Sequence, residues 1–316
     1  MQALQHFIGE QRFGEAVRAF KTERDYAGLA AYLTDALASD DMPSATQAKA
    51  HNELGLALLQ LEQPAEAERA FRSAIERDPK SVNPRFNLAN LALYARNYVR
   101  GLDLFREILE IDPAHAGALH HAGLCCAMQD KFEEALPYFE RSAKAAPGVM
   151  GPDFWAGECL VRLGRFEQGV PHFRRALEIM PDHTESIRGL AICLYETKEY
   201  AEALTACDTL IAGGGGAEYL ALRVKGDVLL ALGQGEKAAL CHLGMAELDF
   251  DAREYLHLRS RNLAEQGSDQ AEIYAKTIAD HLRGMDAEFL ELLPTTIEIR
   301  TQRYRLHFAQ EVRHGK

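Results

Sequence analysis

Apolar residues along most of this chain recur three and four positions apart. Leu54, Ala57, Leu58 and Leu61 form one such run, and Ala67, Ala70, Phe71, Ala74 and Ile75 form the next. That spacing puts the apolar groups on one face of a helix. The two runs are separated by Gln63-Pro64, so they predict two helices joined by a short turn. The same break returns at Asn97-Tyr98, Lys131-Phe132, Arg165-Phe166 and Glu199-Tyr200. Alternation of apolar and polar residues occurs only near the end, from Thr295 to Phe308, where Ile297, Ile299, Tyr304, Leu306 and Phe308 suggest a strand or a frayed helix.

The hairpins repeat. A small residue stands at Gly55, Ala89, Gly123, Gly157, Ala191 and Gly226, in steps of 34 and finally 35. Twelve residues after each comes Ala67, Gly101, Ala135, Gly169, Ala203 and Ala238. A third column holds Phe71, Phe105, Phe139 and Phe173, then Cys207 and His242, and a fourth holds Pro79, Pro113, Pro147 and Pro181. The small residues let paired helices approach closely, and the Phe fills the space between repeats. The proline stops the second helix, because it lacks an amide donor and clashes with the preceding turn.

Leu54-Gly55, Ala67, Phe71, Ala74 and Pro79, with Ala135, Phe139 and Pro147 and then Gly157, Phe173, Ala176 and Pro181, resemble the tetratricopeptide repeat family, a stack of 34-residue helical hairpins. The usual Trp near the start of each repeat is absent, and the single Trp155 lies two positions later. The resemblance implies an all-α, right-handed α-solenoid with helical caps at both ends. Six repeats are placed at 48–81, 82–115, 116–149, 150–183, 184–217 and 219–252. Residues 1–47 read as an N-terminal cap or a divergent repeat, with Ala16 and Phe20 repeating the Ala-x-x-x-Phe pattern. A second helix is expected from about Tyr26 to Leu37. Residues 253–316 read as a C-terminal helical cap and basic tail. In it, Ser268 and Asp269 precede a stripe of Ala271, Tyr274, Ile278 and Leu282 that Gly284 would end. Gly213 to Gly216 interrupts the array as a loose loop or as a hinge.

Composition and charge narrow the roles. The chain has 316 residues, with 35 Lys and Arg against 47 Asp and Glu, a net charge of −12. Such an acidic chain is a poor general ligand for nucleic-acid phosphates or anionic lipid. No apolar run approaches the length that spans a bilayer, and the start, Met1 to His6, lacks a secretory pattern. A soluble, cytoplasmic protein is expected, with neither nucleic-acid binding nor membrane insertion.

No phosphate loop, nucleophile elbow or zinc-protease motif occurs, so no catalytic residue and no cofactor are expected. His121 and Cys125 share a helix face with His120 and Cys126 nearby, but two ligands do not close a zinc site. Cys125, Cys159 and Cys193 recur 34 apart, which marks a small, buried packing column rather than a metal or redox site.

Binding is expected on the face lined by the first helix of each hairpin, the usual peptide-binding surface that the resemblance implies. The inward columns hold Asn52, Asn83, Phe86, Asn87, Asn90, Tyr94, His120, His121 and Met128, followed by Phe154, Trp155, Glu158, Arg162 and Arg188. Each Asn amide offers a donor and an acceptor and can hold a peptide backbone without reading its sequence. Phe86, Phe154 and Trp155 offer apolar anchoring, or pack inside the hairpins instead. Arg162 and Arg188 suit a carboxylate. Some family members clamp a chaperone's C-terminal carboxylate with Lys and Asn. Here those positions hold Asn52, Leu56, Asn87, Gly117 and His121, so that ligand is not expected. The expected role is a non-enzymatic scaffold for a protein or peptide of unspecified identity. The alternatives are a self-assembling homo-oligomer and a targeting subunit for an enzyme supplied in trans.

Overall fold

The computed structural model describes residues 2–38, 42–214, 218–248 and 252–282. Gly215, Gly216, Gly284 and the alternating stretch 295–308 lie outside the described residues. Two compact units divide the chain, residues 1–147 and 148–316, called here the N-terminal and C-terminal halves.

The N-terminal half holds α1 (Gln2–Glu23), α2 (Tyr26–Leu37), α3 (Ser44–Gln60), α4 (Pro64–Arg77), α5 (Val82–Tyr94), α6 (Tyr98–Ile111), α7 (Ala116–Ala127) and α8 (Phe132–Ala145). The C-terminal half holds α9 (Met150–Arg162), α10 (Phe166–Ile179), α11 (Thr184–Glu196), α12 (Tyr200–Gly213), α13 (Glu218–Ala231), α14 (Gly235–Leu248), α15 (Ala252–Glu265) and α16 (Ala271–Leu282). No strand occurs among the described residues. Each half is an all-α stack of helical hairpins of the solenoid type. Within each half a second helix packs between its own first helix and the first helix of the next hairpin, as α4 does between α3 and α5, α6 between α5 and α7, and α10 between α9 and α11.

The columns of small and aromatic residues explain the packing. A side-chain carbon added to Gly55 would meet the Phe71 ring at 2.5 Å, and one on Gly123 would meet Phe139 at 2.8 Å. In the C-terminal half Phe173 is gripped from two hairpins at once. A carbon on Gly157 would lie 2.8 Å from its ring and one on Gly189 2.3 Å. The Phe therefore seats against the glycine of its own hairpin and also seals the seam to the next. The cysteine column packs likewise, since the Cys125 sulfur sits 3.1 Å from where Gly101 would carry a side chain and Cys193 3.0 Å from that point on Gly169. Burial pushes the thiols of Cys125 and Cys193 up to about 12.

Every first helix ends in the same backbone turn. The amide N–H of Gln63 donates to Leu58 O at 2.9 Å, Asn97 to Ala92 O at 2.8 Å, Lys131 to Cys126 O at 3.0 Å and Arg165 to Leu160 O at 2.8 Å. This six-to-one bond requires a left-handed residue just before its donor. That residue is Arg24, Glu62, Arg96 or Asp130 in the N-terminal half, and Gly164, Lys198, Gly233 or Gly267 in the C-terminal half. Gly267 follows Gly233 by the same 34 residues, so α15 and α16 form a hairpin in register with those before it. The side-chain pattern is lost after residue 252, but the turn is not. Tyr274 and Ile278, on the stripe expected there, are buried.

Candidate peptide-binding face

The first helices α3, α5 and α7 touch in succession in the N-terminal half, as α9, α11 and α13 do in the C-terminal half. Their exposed sides carry the residues singled out in the sequence, and the two halves treat them differently.

In the N-terminal half the face is built from amides and imidazoles. Asn87 Nδ2 donates to Asn52 Oδ1 at 2.8 Å, which joins α5 to α3. Asn90, one turn further along α5, has an Oδ1 sheltered from solvent with no hydrogen-bond partner, and His120 Nδ1 on α7 is in the same condition. His121 Nδ1 donates to Gly117 O at 2.7 Å, which fixes its tautomer. Burial lowers the pKa of His120 to about 4, helped by its neighbour His121, and also lowers that of His121. Phe86 is turned inward, with its ring 5.8 Å from Phe105, 5.4 Å from His115 and 5.3 Å from His121. Asn83 is exposed. At the far end of each helix Tyr94 is 84% exposed and Met128 44%. A cleft of about 240 Å³ opens between α1, α2 and α3, walled mainly by Leu29, Leu56, Ala57 and Leu59. Lys21 at that cleft pairs with Glu53.

In the C-terminal half the face is charged. Glu158 and Arg188 stand 68 residues after Asn90 and His120, two repeats on, and pair at 3.4 Å. Phe154 packs edge-on to His183 at 5.0 Å and to Trp155 at 5.4 Å. Trp155 is half-buried and Arg162 exposed. A cluster absent from the sequence-based site set lies around Asp227 on α13. Its Oδ1 accepts from Tyr255 Oη at 2.8 Å and pairs with Arg259 Nη2 at 2.7 Å, both on α15. The Arg223 guanidinium sits 5.8 Å above the Tyr255 ring. Beneath them His242 is fully buried. Its Nε2–H donates to Arg223 O at 3.2 Å, so Nδ1 accepts from Tyr274 Oη at 2.7 Å. Burial lowers the His242 pKa to about 4, so the ring is neutral at pH 7. A histidine in the buried aromatic column was the sequence signal for this cluster, since a buried imidazole needs polar partners.

The tetratricopeptide repeat models match residues 48–81, 86–149 and 160–226. The chain belongs to the tetratricopeptide repeat family. A search of the curated proteins finds no match to it. Among solved structures it is similar to YrrB, described as a tetratricopeptide repeat protein with an unusual peptide-binding site. Identity is 25%, coverage 61% of this chain and 98% of YrrB, and the TM-score 0.57. It is similar in fold to PilF of Pseudomonas aeruginosa, at 21% identity, 69% and 99% coverage and a TM-score of 0.54. A tetratricopeptide repeat protein from Parabacteroides merdae matches at 17% identity, 76% and 93% coverage and a TM-score of 0.53.

Tetratricopeptide repeats serve as protein-interaction scaffolds, generally without catalysis, and the repeats here support that role. Among the described residues no group of three or more His, Cys, Asp or Glu converges on a metal position, and no helix is long and apolar enough to cross a membrane.

Proposed function

We propose that this protein is a non-enzymatic scaffold that holds an extended protein segment on the first-helix face of its N-terminal half, through the backbone of that segment. The observation that carries the reading is the pair of sheltered polar atoms, Asn90 Oδ1 and His120 Nδ1, that no other described residue satisfies. A polar atom withheld from water without a partner costs stability. A peptide group laid along α5 and α7 supplies an N–H to Asn90, and its carbonyl can accept from a protonated Nδ1 of His120. Asn52 and Asn87, already joined, keep further amide valences for the same chain. The likeness to YrrB, whose own description mentions a peptide-binding site, agrees with this assignment.

Replacing Asn87 and Asn90 together by Ala is expected to weaken capture of a native partner at least about tenfold while the helical signal and unfolding midpoint hold. Partners come from affinity capture in the native host, and their affinity is then measured by calorimetry. Unchanged affinity in the double variant removes the N-terminal face from the mechanism.

A further inference from the structure

The face around Asn90 and His120 also defines what it accepts, an argument that rests on the backbone-holding role just proposed. Helix α7 contains no charged residue. The one charged residue of α5 is Arg85, whose side chain is 11% exposed; it donates to Ser81 O at 2.9 Å and faces Glu107 at 3.5 Å. On α3, Glu53 is taken by Lys21, and the exposed Lys49 stands one turn before Asn52, on the hairpin that precedes those of α5 and α7. A charged partner side chain laid on α5 and α7 would lose water and meet no opposite charge. What the face does offer is apolar surface at a regular interval. Tyr94 and Met128 stand 34 residues apart, in the same column of consecutive repeats, and both are exposed.

The interval selects a backbone conformation. Packed helices lie about 8–10 Å apart, and α5 and α7 are in direct contact. A β-strand returns to the same face every second residue, after about 6.6 Å. A polyproline II chain returns every third residue, after about 9 Å, and has no internal hydrogen bonds. Only the second matches one anchor per repeat, and its open N–H groups are the donors that Asn90 Oδ1 lacks.

We infer that the N-terminal half binds an uncharged segment in the polyproline II conformation, with apolar side chains three residues apart that rest on Tyr94 and Met128. The backbone between those anchors bonds to Asn90, one turn before Tyr94 on α5.

The test uses the full chain and fluorescence anisotropy with a labelled (Leu-Pro-Pro)4 peptide. Its companions are (Leu-Pro)6, which shifts the period to two, and (Glu-Pro-Pro)4 and (Lys-Pro-Pro)4, which put charge at the anchors. The first peptide is expected to bind at least about tenfold tighter than the others, and Tyr94→Ala and Asn90→Ala each to weaken it about fivefold or more. Equal affinity for (Leu-Pro)6, preference for a charged peptide, no binding of (Leu-Pro-Pro)4, or indifference to Tyr94→Ala overturns the inference. Selection from a random peptide library separates it from the reading beneath it. Selected peptides that lose affinity with Asn90→Ala but are charged or lack the triplet spacing sink the inference alone. Selected peptides that ignore both Asn87→Ala and Asn90→Ala sink both.

Discussion

The two halves use one fold and line it with opposite chemistry. In the N-terminal half the first helices expose amides, imidazoles, Tyr94 and Met128, and among the described residues two of their uncharged polar atoms, Asn90 Oδ1 and His120 Nδ1, have no hydrogen-bond partner. In the C-terminal half the equivalent surface carries Glu158, Arg188, Asp227 and Arg259, which pair through Nη2 of each arginine across neighbouring helices, while Nε of Arg188 and of Arg259 has no hydrogen-bond partner among the described residues. A polar group that is satisfied inside the chain stabilises the stack and has less to offer a guest. An unsatisfied one costs the stack something and is available. The contrast therefore separates a surface joined by ion pairs from one built of uncharged amides and imidazoles, the surface on which the proposed binding role rests.

The largest expected effect tests that division directly. Asp227→Ala leaves Arg259 and the Tyr255 hydroxyl without their shared acceptor and is expected to destabilise the C-terminal half by about 3 kcal/mol. Asn87→Ala in the N-terminal half should cost less than about 1 kcal/mol, since the amide left behind, Asn52, remains partly open to water. Urea unfolding of both variants measures the difference. Equal costs would erase the distinction between the halves.

Acid sharpens the comparison. His242 and His120 both have folded pKa values near 4, below the ordinary 6.5, because burial disfavours the charged ring. Between those values the unfolded chain binds more protons than the folded one, so stability is complete above about pH 6.5 and is lost as pH falls toward 4. His242 alone contributes a loss on the order of 2 kcal/mol between pH 7 and pH 4.5. Unfolding midpoints at pH 7, 5.5 and 4.5 check the slope. In His242→Phe, which restores the ring type of the earlier repeats, the slope should shrink and the Asp227 cluster should loosen.

The smallest effect concerns the turns. All four left-handed turn residues of the N-terminal half are non-glycine, whereas three of the four in the C-terminal half are glycine. Left-handed geometry costs a side-chain-bearing residue about 1 kcal/mol. Asp130→Gly is expected to stabilise by about 0.5 kcal/mol, once the greater freedom of the unfolded chain is set against the relief. Gly164→Ala should destabilise by about 1 kcal/mol. Thermal melting of the pair gives both signs, and a like sign for both would break the assignment of strain to these turns.

Much of this was readable in the residue order. The 34-residue columns located the hairpins, the Gly–Phe contacts and the face carrying Asn52, Asn87 and Asn90, because packing between identical neighbours forces the same residue size at the same place. What escaped was chemistry that no column repeats. Asp227, Tyr255, Arg259 and Tyr274 come from three helices at irregular spacing, and only His242 in a phenylalanine column hinted at them. The inward turn of Phe86 and Phe154 was left open by the sequence, since an aromatic on that column serves equally as core or as anchor. The last hairpin was obscured because its register is kept by backbone geometry at Gly267 rather than by a stripe of matching side chains.

The recurring backbone turn has a practical corollary. Its bonds are made by main-chain atoms, and the residue at the left-handed position is exposed in each N-terminal turn, at Arg24, Glu62, Arg96 and Asp130. These tips are natural attachment points for spectroscopic reporters. A ruler of labelled tips would register any stretching or coiling of the N-terminal half when a guest arrives, with Arg24 and Glu62 the pair furthest in sequence from Tyr94 and Met128.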